Sequence, residues 1–345
     1  MKTNINILLT SAGRRAYIVD FFKNCDGVGK VYASNSDYTI ALQRADDYFI
    51  SPLIYDEEYI PAIIRYCRKN DITAVLSLFD IDLLVLAKNR QAFVNAGIKL
   101  ILAPAEFVEI CNDKWSTYNF VLSQGLQSPK TYLHIHDLKQ AINDGEVSYP
   151  IIMKPRWGMA SMGIYKVGNE LELEVFTEKC KRDIFGSYLK YESSMTADEA
   201  IIYQEIMTGE EYGLDVINDL DGNYIGTFAK QKVTMRSGET DLGRTANSQP
   251  FEPIAIKIAE FSKHEGILSV DCFKNDKGIF VIEMNCRISG HYPLSYLAGM
   301  NYPQQLVDWL RGMPSNPKHF NFETELYIVK DLKPTILYKG NKPIK

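Results

Sequence analysis

Nowhere do these 345 residues string together the roughly 18 consecutive apolar side chains that a membrane-crossing helix needs. Positive charge is not in surplus either. Lys and Arg total 38 against 43 Asp and Glu, for a net charge of −5. That balance argues against a nucleic-acid surface, which works by displacing counterions with a basic face. The six cysteines (Cys25, Cys67, Cys111, Cys180, Cys272, Cys286) are scattered, with no C-x-x-C and no histidine at zinc spacing. G-x-x-x-x-G-K-[ST] is missing, and so is G-x-G-x-x-G, which removes the usual phosphate loop and the dinucleotide fingerprint. There is no internal repeat and no low-complexity tract. The apolar run before Ser11-Ala12-Gly13 is too short for a signal-peptide core and reads as a first buried strand. These features describe a cytoplasmic protein with reduced thiols. Hydrophobic residues at 46% and charged residues at 23% are an ordinary globular balance, and the length suits two or three packed units.

The first hundred residues alternate strand-like runs (Ile5–Thr10, 30–34, 48–50, 74–77, 100–102) with helical stretches (16–24, 57–70, 82–96). That alternation predicts a parallel, doubly wound α/β sheet, whose ligands sit at the carboxyl ends of the strands. The turn Thr10-Ser11-Ala12-Gly13-Arg14-Arg15 then faces a site, with arginines that touch substrate. From Cys111 the texture changes. Asn112 or Asp113 is a natural N-cap for a helix opening at Lys114. Farther on, 204–283 reads as an antiparallel sheet with interleaved helices and strands at 212–218, 222–231 and 278–284. Asp221-Gly222 is the hairpin signal between two of them.

Three clusters point to nucleotide-phosphate chemistry. Lys154 ends an apolar strand and leads into a loop at 156–163 containing Gly158, Ser161 and Gly163; loop N–H groups can close over phosphates while the lysine supplies a point charge. Asp271 follows the apolar run Leu268-Ser269-Val270, and Glu283, Asn285 and Arg287 fall on alternate positions, hence on one strand face. Oxygen-only Asp, Glu and Asn suit a hard divalent cation. Glu205 and Glu211, spaced E-x₅-E across a linker with Gly209, form the third; Glu210 is the fallback for Glu211. His134 and His136 read as polar-face residues of a strand-like segment, not as metal ligands.

In order, the chain offers a lysine at a helix start, a lysine before a glycine loop, E-x₅-E, then D-x₁₁-E-x-N-x-R. That order resembles the ATP-grasp superfamily, and within it the branch like the carbamoyl-phosphate synthase large subunit. The resemblance implies α/β and α+β architecture: a doubly wound pre-ATP-grasp domain (1–110), an A/B lobe with the lysines and glycine-rich lid (111–200), and a C-terminal lobe with the Mg²⁺ site (201–345). It implies ATP contacts by Lys114, Lys154, Ser161 and Gly163, adenine reading at Glu205 and Ile206, and ribose binding by Glu211. Asp271, Glu283 and Asn285 would hold Mg²⁺, with Mn²⁺ also admissible. Arg287, Lys154 and Arg236 would serve catalysis. Where the lid often carries a second glycine, this chain has Ala160, which implies a stiffer loop.

The activity implied is ADP-forming ligation of a small-molecule carboxylate to an amine, with no nucleic-acid or membrane partner, and the subunits as a homodimer. Substrate selection falls to Arg14, the Asp80/Asp82 loop, Arg236 and His291. The runner-up within enzymes activates bicarbonate, as a carboxylase or a carbamoyl-phosphate synthase does. Outside enzymes it is an ATP-binding protein that ligates nothing.

Overall fold

The computed structural model describes residues 4–158 and 162–344. Five parallel strands build the first sheet: β1 Ile5–Thr10, β2 Val28–Asn35, β3 Asp47–Ile50, β4 Ile72–Ser77 and β5 Lys99–Leu100, in spatial order 3-2-1-4-5. β1 is buried at all but one position, as a central parallel strand covered on both faces should be. The doubly wound sheet expected from the alternation is present. Its helices differ in detail: the stretch expected as one helix over 82–96 is two, Asp80–Lys88 and Arg90–Asn95, broken at Asn89. A short helix, Ile40–Arg44, had no periodicity to announce it.

A second, four-stranded antiparallel sheet runs β6-β9-β7-β8, from β6 Thr131–Tyr132, β7 Ile151–Pro155, β8 Tyr165–Val167 and β9 Ile201–Glu205. It packs against helices Ile135–Asn143 and Glu170–Phe185 around its own core of Leu138, Met153, Leu173 and Tyr203. His134 immediately precedes the first of these helices and His136 lies inside it, so the strand reading of that segment is corrected. The helix wins because Ile135, Leu138 and Ala141 recur at three-residue spacing on one face, with Leu138 and Ala141 buried.

The third sheet has six strands in order β14-β13-β10-β11-β12-β15: β10 Glu210–Asn218, β11 Tyr224–Arg236, β12 Glu239–Ala246, β13 Gly266–Asn275, β14 Gly278–Asn285 and β15 Tyr327–Val329. Asp271 lies in the middle of β13, not at a strand end. The hydrophobic core of this sheet is continuous with that of the parallel sheet through Phe107, Val108 and Phe120 of helices Ala105–Asn112 and Lys114–Ser123. The first and third sheets share packed cores, and the second sheet has a core of its own. We propose that the boundary between the two grasping lobes falls in the linker 206–209, because β9, although it follows residue 200, pairs with β7. Past β15 the chain returns to the first sheet, where Tyr38 donates to the Ile344 carbonyl at 2.9 Å.

Candidate active site

A cleft of about 510 Å³ lies between the four- and six-stranded sheets. On one wall, Asp113 caps helix Lys114–Ser123 by accepting from the Trp115 N–H at 3.0 Å, which starts the helix with Lys114. The same carboxylate takes Arg156 through two bonds of 2.7 Å, and Glu199 takes the third guanidinium arm at 2.8 Å. This bidentate pairing ties the residue just after β7 to the helix start. Lys114 donates to the Gly158 carbonyl and lies 3.6 Å from Glu283. Lys154, at the buried end of β7, donates to Gln204 at 2.9 Å, and Gln204 donates to Thr131 at 2.8 Å.

Lys154 therefore has a neutral partner. Burial, with Lys114 as the second cause, lowers its pKa to about 8. A cation held this way gains from an arriving polyphosphate, which restores the missing countercharge and raises the pKa again. Because Lys154 is protonated below pH 8 and must take up a proton to meet phosphate above it, Mg²⁺–ATP affinity should be flat from pH 6.5 to 7.5. Above about pH 8 it should weaken, by up to tenfold per unit. Calorimetric titration across that range, with Lys154→Met lacking the dependence, checks this.

The opposite wall is the six-stranded sheet. Asp271 and Glu283 are direct partners across β13 and β14, and Ser269 pairs with Asn285 two residues along. Glu283 and Asn285 share a face, as alternation required. One Asp271 oxygen is buried without a hydrogen-bond partner, since His291 Nε2 stands 3.5 Å away. The other accepts Lys232 at 2.7 Å, and Lys232 also reaches Glu211 at 2.8 Å. Burial would raise the Asp271 pKa, but the Lys232 ammonium outweighs it and holds the carboxyl well below the ordinary range. An ionised carboxylate with one unpartnered buried oxygen, beside a second carboxylate and an amide, is a donor set that fits Mg²⁺. Among the described residues no group of three or more His, Cys, Asp and Glu is placed to hold a metal ion.

The other expected site residues divide. Glu205, Ile206, Glu211 and Arg287 line the cleft. Glu205 accepts from the Lys130 N–H at 2.7 Å and so fixes the chain beside the linker. Arg287 pairs with Asp80 at 2.7 Å. Gly163 does not line the cleft; it packs on Pro155 with φ +66°, where a Cβ would come within 2.9 Å of the ring, so its role is to turn the loop. Ser161 and Ala160 lie outside the described residues. Arg236 is a correction. It stands outside the cleft, half-exposed and paired with Asp241 at 2.5 Å, whereas Glu239, three residues on, turns in. Asp82 is also removed from substrate selection: it is fully buried, accepting from Thr10, Ser77 and Tyr59 at 2.5, 2.8 and 2.6 Å. His291 lines the cleft, and burial, then Lys230, lowers its pKa to about 4, so it is neutral.

Two cleft residues had gone unread. Lys232 was signalled by Lys230 and Lys232 standing at i and i+2 of one strand, which puts two cations on the same face. Lys230 is indeed fully buried, 2.5 Å from Asp215. Gln204 had no signal beyond its position beside Glu205.

Residues 111–291 match the family described as the ATP-grasp domain, just over half of the chain. The chain belongs to the ATP-grasp family. Residues 7–101 of this ATP-grasp protein match a second description, the PylC-like N-terminal domain. Among similar proteins is the D-alanine–D-alanine ligase of Lacticaseibacillus casei, 24% identical over 334 residues, covering 88% of each chain. Another is the arginine-specific large chain of carbamoyl phosphate synthase from Bacillus subtilis, 22% identical over 277 residues and 78% of this chain. The ATP-grasp protein spans only 25% of that relative's length. Among solved structures, an L-amino acid ligase from Bacillus licheniformis superposes with a TM-score of 0.68 at 20% identity, covering 90% of this chain and 76% of that one. The biotin carboxylase domain dimer of Hydrogenobacter thermophilus 2-oxoglutarate carboxylase, in complex with MgADP and bicarbonate, gives 0.71 at 16%, covering 95% and 74%. These superpositions show a shared fold. Among the described residues no helix is long and apolar enough to cross a membrane.

Proposed function

We propose that this ATP-grasp protein is an ADP-forming ligase that activates a small carboxylate and joins it to an amine. The observation that carries the reading is the pairing of opposite walls across one cleft. Lys114 and the countercharge-poor Lys154 stand on one side, and Asp271, Glu283 and Asn285 on the other. That is the arrangement for gripping a polyphosphate between fixed cations and a hard divalent ion.

The adenine sits at the linker, read by the backbone near Ile206, and Glu211 takes the ribose hydroxyls. Along β10 a strand rises about 3.3 Å per residue, so the level of Gly213, paired with Asp271, is roughly 7 Å beyond Glu211. The phosphates therefore extend from Glu211 toward Arg287. Asp271, Glu283 and Asn285 would hold Mg²⁺, whose charge would neutralise the phosphoryl oxygens when bound. Lys232 then moves its hydrogen bonds from Asp271 and Glu211 toward the terminal phosphate. A carboxylate oxygen of the substrate attacks the γ-phosphorus, the bond to the bridging oxygen breaks, and ADP leaves. The amine nitrogen attacks the acyl carbon of the resulting acyl phosphate, the C–O bond breaks, inorganic phosphate departs, and the nitrogen loses its extra proton to water. Arg287, held by Asp80, steadies the acyl phosphate. The chain's own work is positioning and preorganised charge.

Cytoplasmic location and a homodimer remain part of this reading. The test is Mg²⁺-dependent ADP release across a panel of acids and amines, singly and in pairs. Release that needs one specific pair is the expected result; release with bicarbonate in place of an organic acid would move the activity to the carboxylase class.

A further inference from the structure

Directly paired residues of an antiparallel sheet share a face, and two such rows cross the floor of the cleft. One runs Lys230, Gly213, Asp271, Glu283; the next runs Phe228, Asp215, Ser269, Asn285. Gly213 is the one position in these rows without a side chain. What fills the gap comes from outside the sheet. The ring of His291, in the turn after Arg287, lies over Gly213 so closely that a Cβ there would overlap with Nε2.

A buried ion pair backs this ring. Lys230 stands 2.5 Å from Asp215, both fully buried, and neither lines the cleft. Ser295 of helix Tyr292–Leu297 donates to the same Asp215 oxygen at 2.6 Å. Ser289 joins the pair to the ring, 3.4 Å from the other Asp215 oxygen and 2.8 Å from His291 Nδ1. On the ring's far side, Nε2 faces Ser269 at 3.2 Å and the unpartnered Asp271 oxygen at 3.5 Å. One imidazole thus links a charge pair beneath the cleft to a proposed metal ligand.

The distances fix which nitrogen carries the proton. At 3.4 Å Asp215 is a poor acceptor for the Ser289 hydroxyl, whereas Nδ1 at 2.8 Å is a good one. Ser289 therefore donates to Nδ1, and the ring's N–H is at Nε2, between Ser269 and Asp271. A charged ring would carry an N–H at Nε2 as well, so the donor is there in either state. Two donors then flank Asp271. Lys232 holds one oxygen at 2.7 Å from the side of Glu211, and His291 faces the other from the side of Ser269. A carboxylate oxygen has lone pairs for both an N–H and a cation. Without the ring, the carboxylate is left to Lys232 alone and turns toward Glu211.

We propose that His291 is a positioning residue for Mg²⁺: seated over Gly213, its Nε2–H holds the free oxygen of Asp271 in line with Glu283 and Asn285. The inference rests on the assignment of Asp271 to the metal made above and adds the group that aims it.

The experiment is a calorimetric Mg²⁺ titration of protein saturated with a non-hydrolysable ATP analogue, so that binding is read and not turnover. In His291→Ala the midpoint is expected to rise about ten- to a hundredfold, the range for losing a group that orients a metal ligand. Gly213→Ala, which evicts the ring, should reproduce that shift, and the double variant should be no worse than either single one. A glutamine amide reaches the place of Nε2, and an asparagine amide that of Nδ1. His291→Gln therefore stays close to the parent while His291→Asn does not; a ring that only packs would make the two alike. In spectra of the ¹⁵N-histidine-labelled protein, the signals that vanish in His291→Gln should report a protonated Nε2 and an unprotonated Nδ1. An unprotonated Nε2 in the parent overturns the inference, as do equal losses in the Gln and Asn variants. Asp271→Asn separates the two readings. If it raises the midpoint and His291→Ala does not, the inference fails alone; if it leaves the midpoint unchanged, the metal assignment fails and takes the inference with it.

Discussion

Replacing Glu283 by alanine is expected to lower Mg²⁺-dependent ADP formation by at least about a thousandfold, since a misplaced divalent ion forfeits several kcal/mol of charge stabilisation in the transition state. Glu283 faces Asp271 across two adjacent strands, and no other carboxylate is in register with Asp271 on β14. Its loss leaves Lys114, 3.6 Å away, without that acidic neighbour, and leaves Asp271 bound to Lys232, a cation that competes with metal. The side chain is about a quarter exposed (27%), so the variant should unfold within about 1 kcal/mol of the parent. Mg²⁺ titration of ATP-bound protein separates this from a general loss of structure. The midpoint should move up at least tenfold in Glu283→Gln, which keeps the shape and removes the charge. Near-normal turnover in either variant would remove Glu283 from the metal site.

The second large effect has two halves of opposite sign. Lys154→Met should cut kcat/KM for ATP by about a hundred- to a thousandfold, because it deletes a preorganised cation at the phosphates. The same change should make the ligand-free protein more stable. The folded-state pKa of Lys154 is about 8 against the ordinary 10.5, so burial penalises the charged form. At pH 7 the lysine is charged both folded and unfolded, and the folded state carries the whole penalty, on the order of 3 kcal/mol. As pH rises from 8 to 10.5 the folded state sheds its proton first, and the penalty fades. Urea denaturation at pH 7 and pH 10 should therefore show Lys154→Met gaining stability over the parent at the lower pH and less at the higher. A methionine variant that is both less stable and fully active would mean that Lys154 is an ordinary core residue.

Much of this site could be read from the sequence wherever function was written into local order. The D-x₁₁-E-x-N-x-R spacing placed Asp271, Glu283 and Asn285 together because alternation on a strand fixes which side chains share a face, and the hairpin between β13 and β14 then aligned the two carboxylates. β1 was legible because a fully buried parallel strand must be a short unbroken apolar run. Relations between distant segments were not legible. Lys232 gains its meaning from Glu211 and Asp271, 21 and 39 residues away, and only the sheet order brings them to it. Arg156 looked like part of a lid, yet its guanidinium is consumed by Asp113 and Glu199. Arg236 and Glu239 flank one β-hairpin as register partners, and the turn at Ser237 and Gly238, both at positive φ, sends one outward and the other to the cleft. His134 and His136 misled for a related reason. Two polar positions separated by one residue mimic strand alternation, and only the following apolar spacing reveals the helix.

The central claim is that a substrate carboxylate attacks ATP and passes through an acyl phosphate. Once the responsive pair is found, the acid should be labelled with ¹⁸O in its carboxylate and the released phosphate weighed by mass spectrometry. Transfer of one ¹⁸O from the acid to inorganic phosphate per amide formed is the predicted result, because the attacking oxygen leaves with the phosphoryl group. Unlabelled phosphate alongside full amide formation would contradict the account.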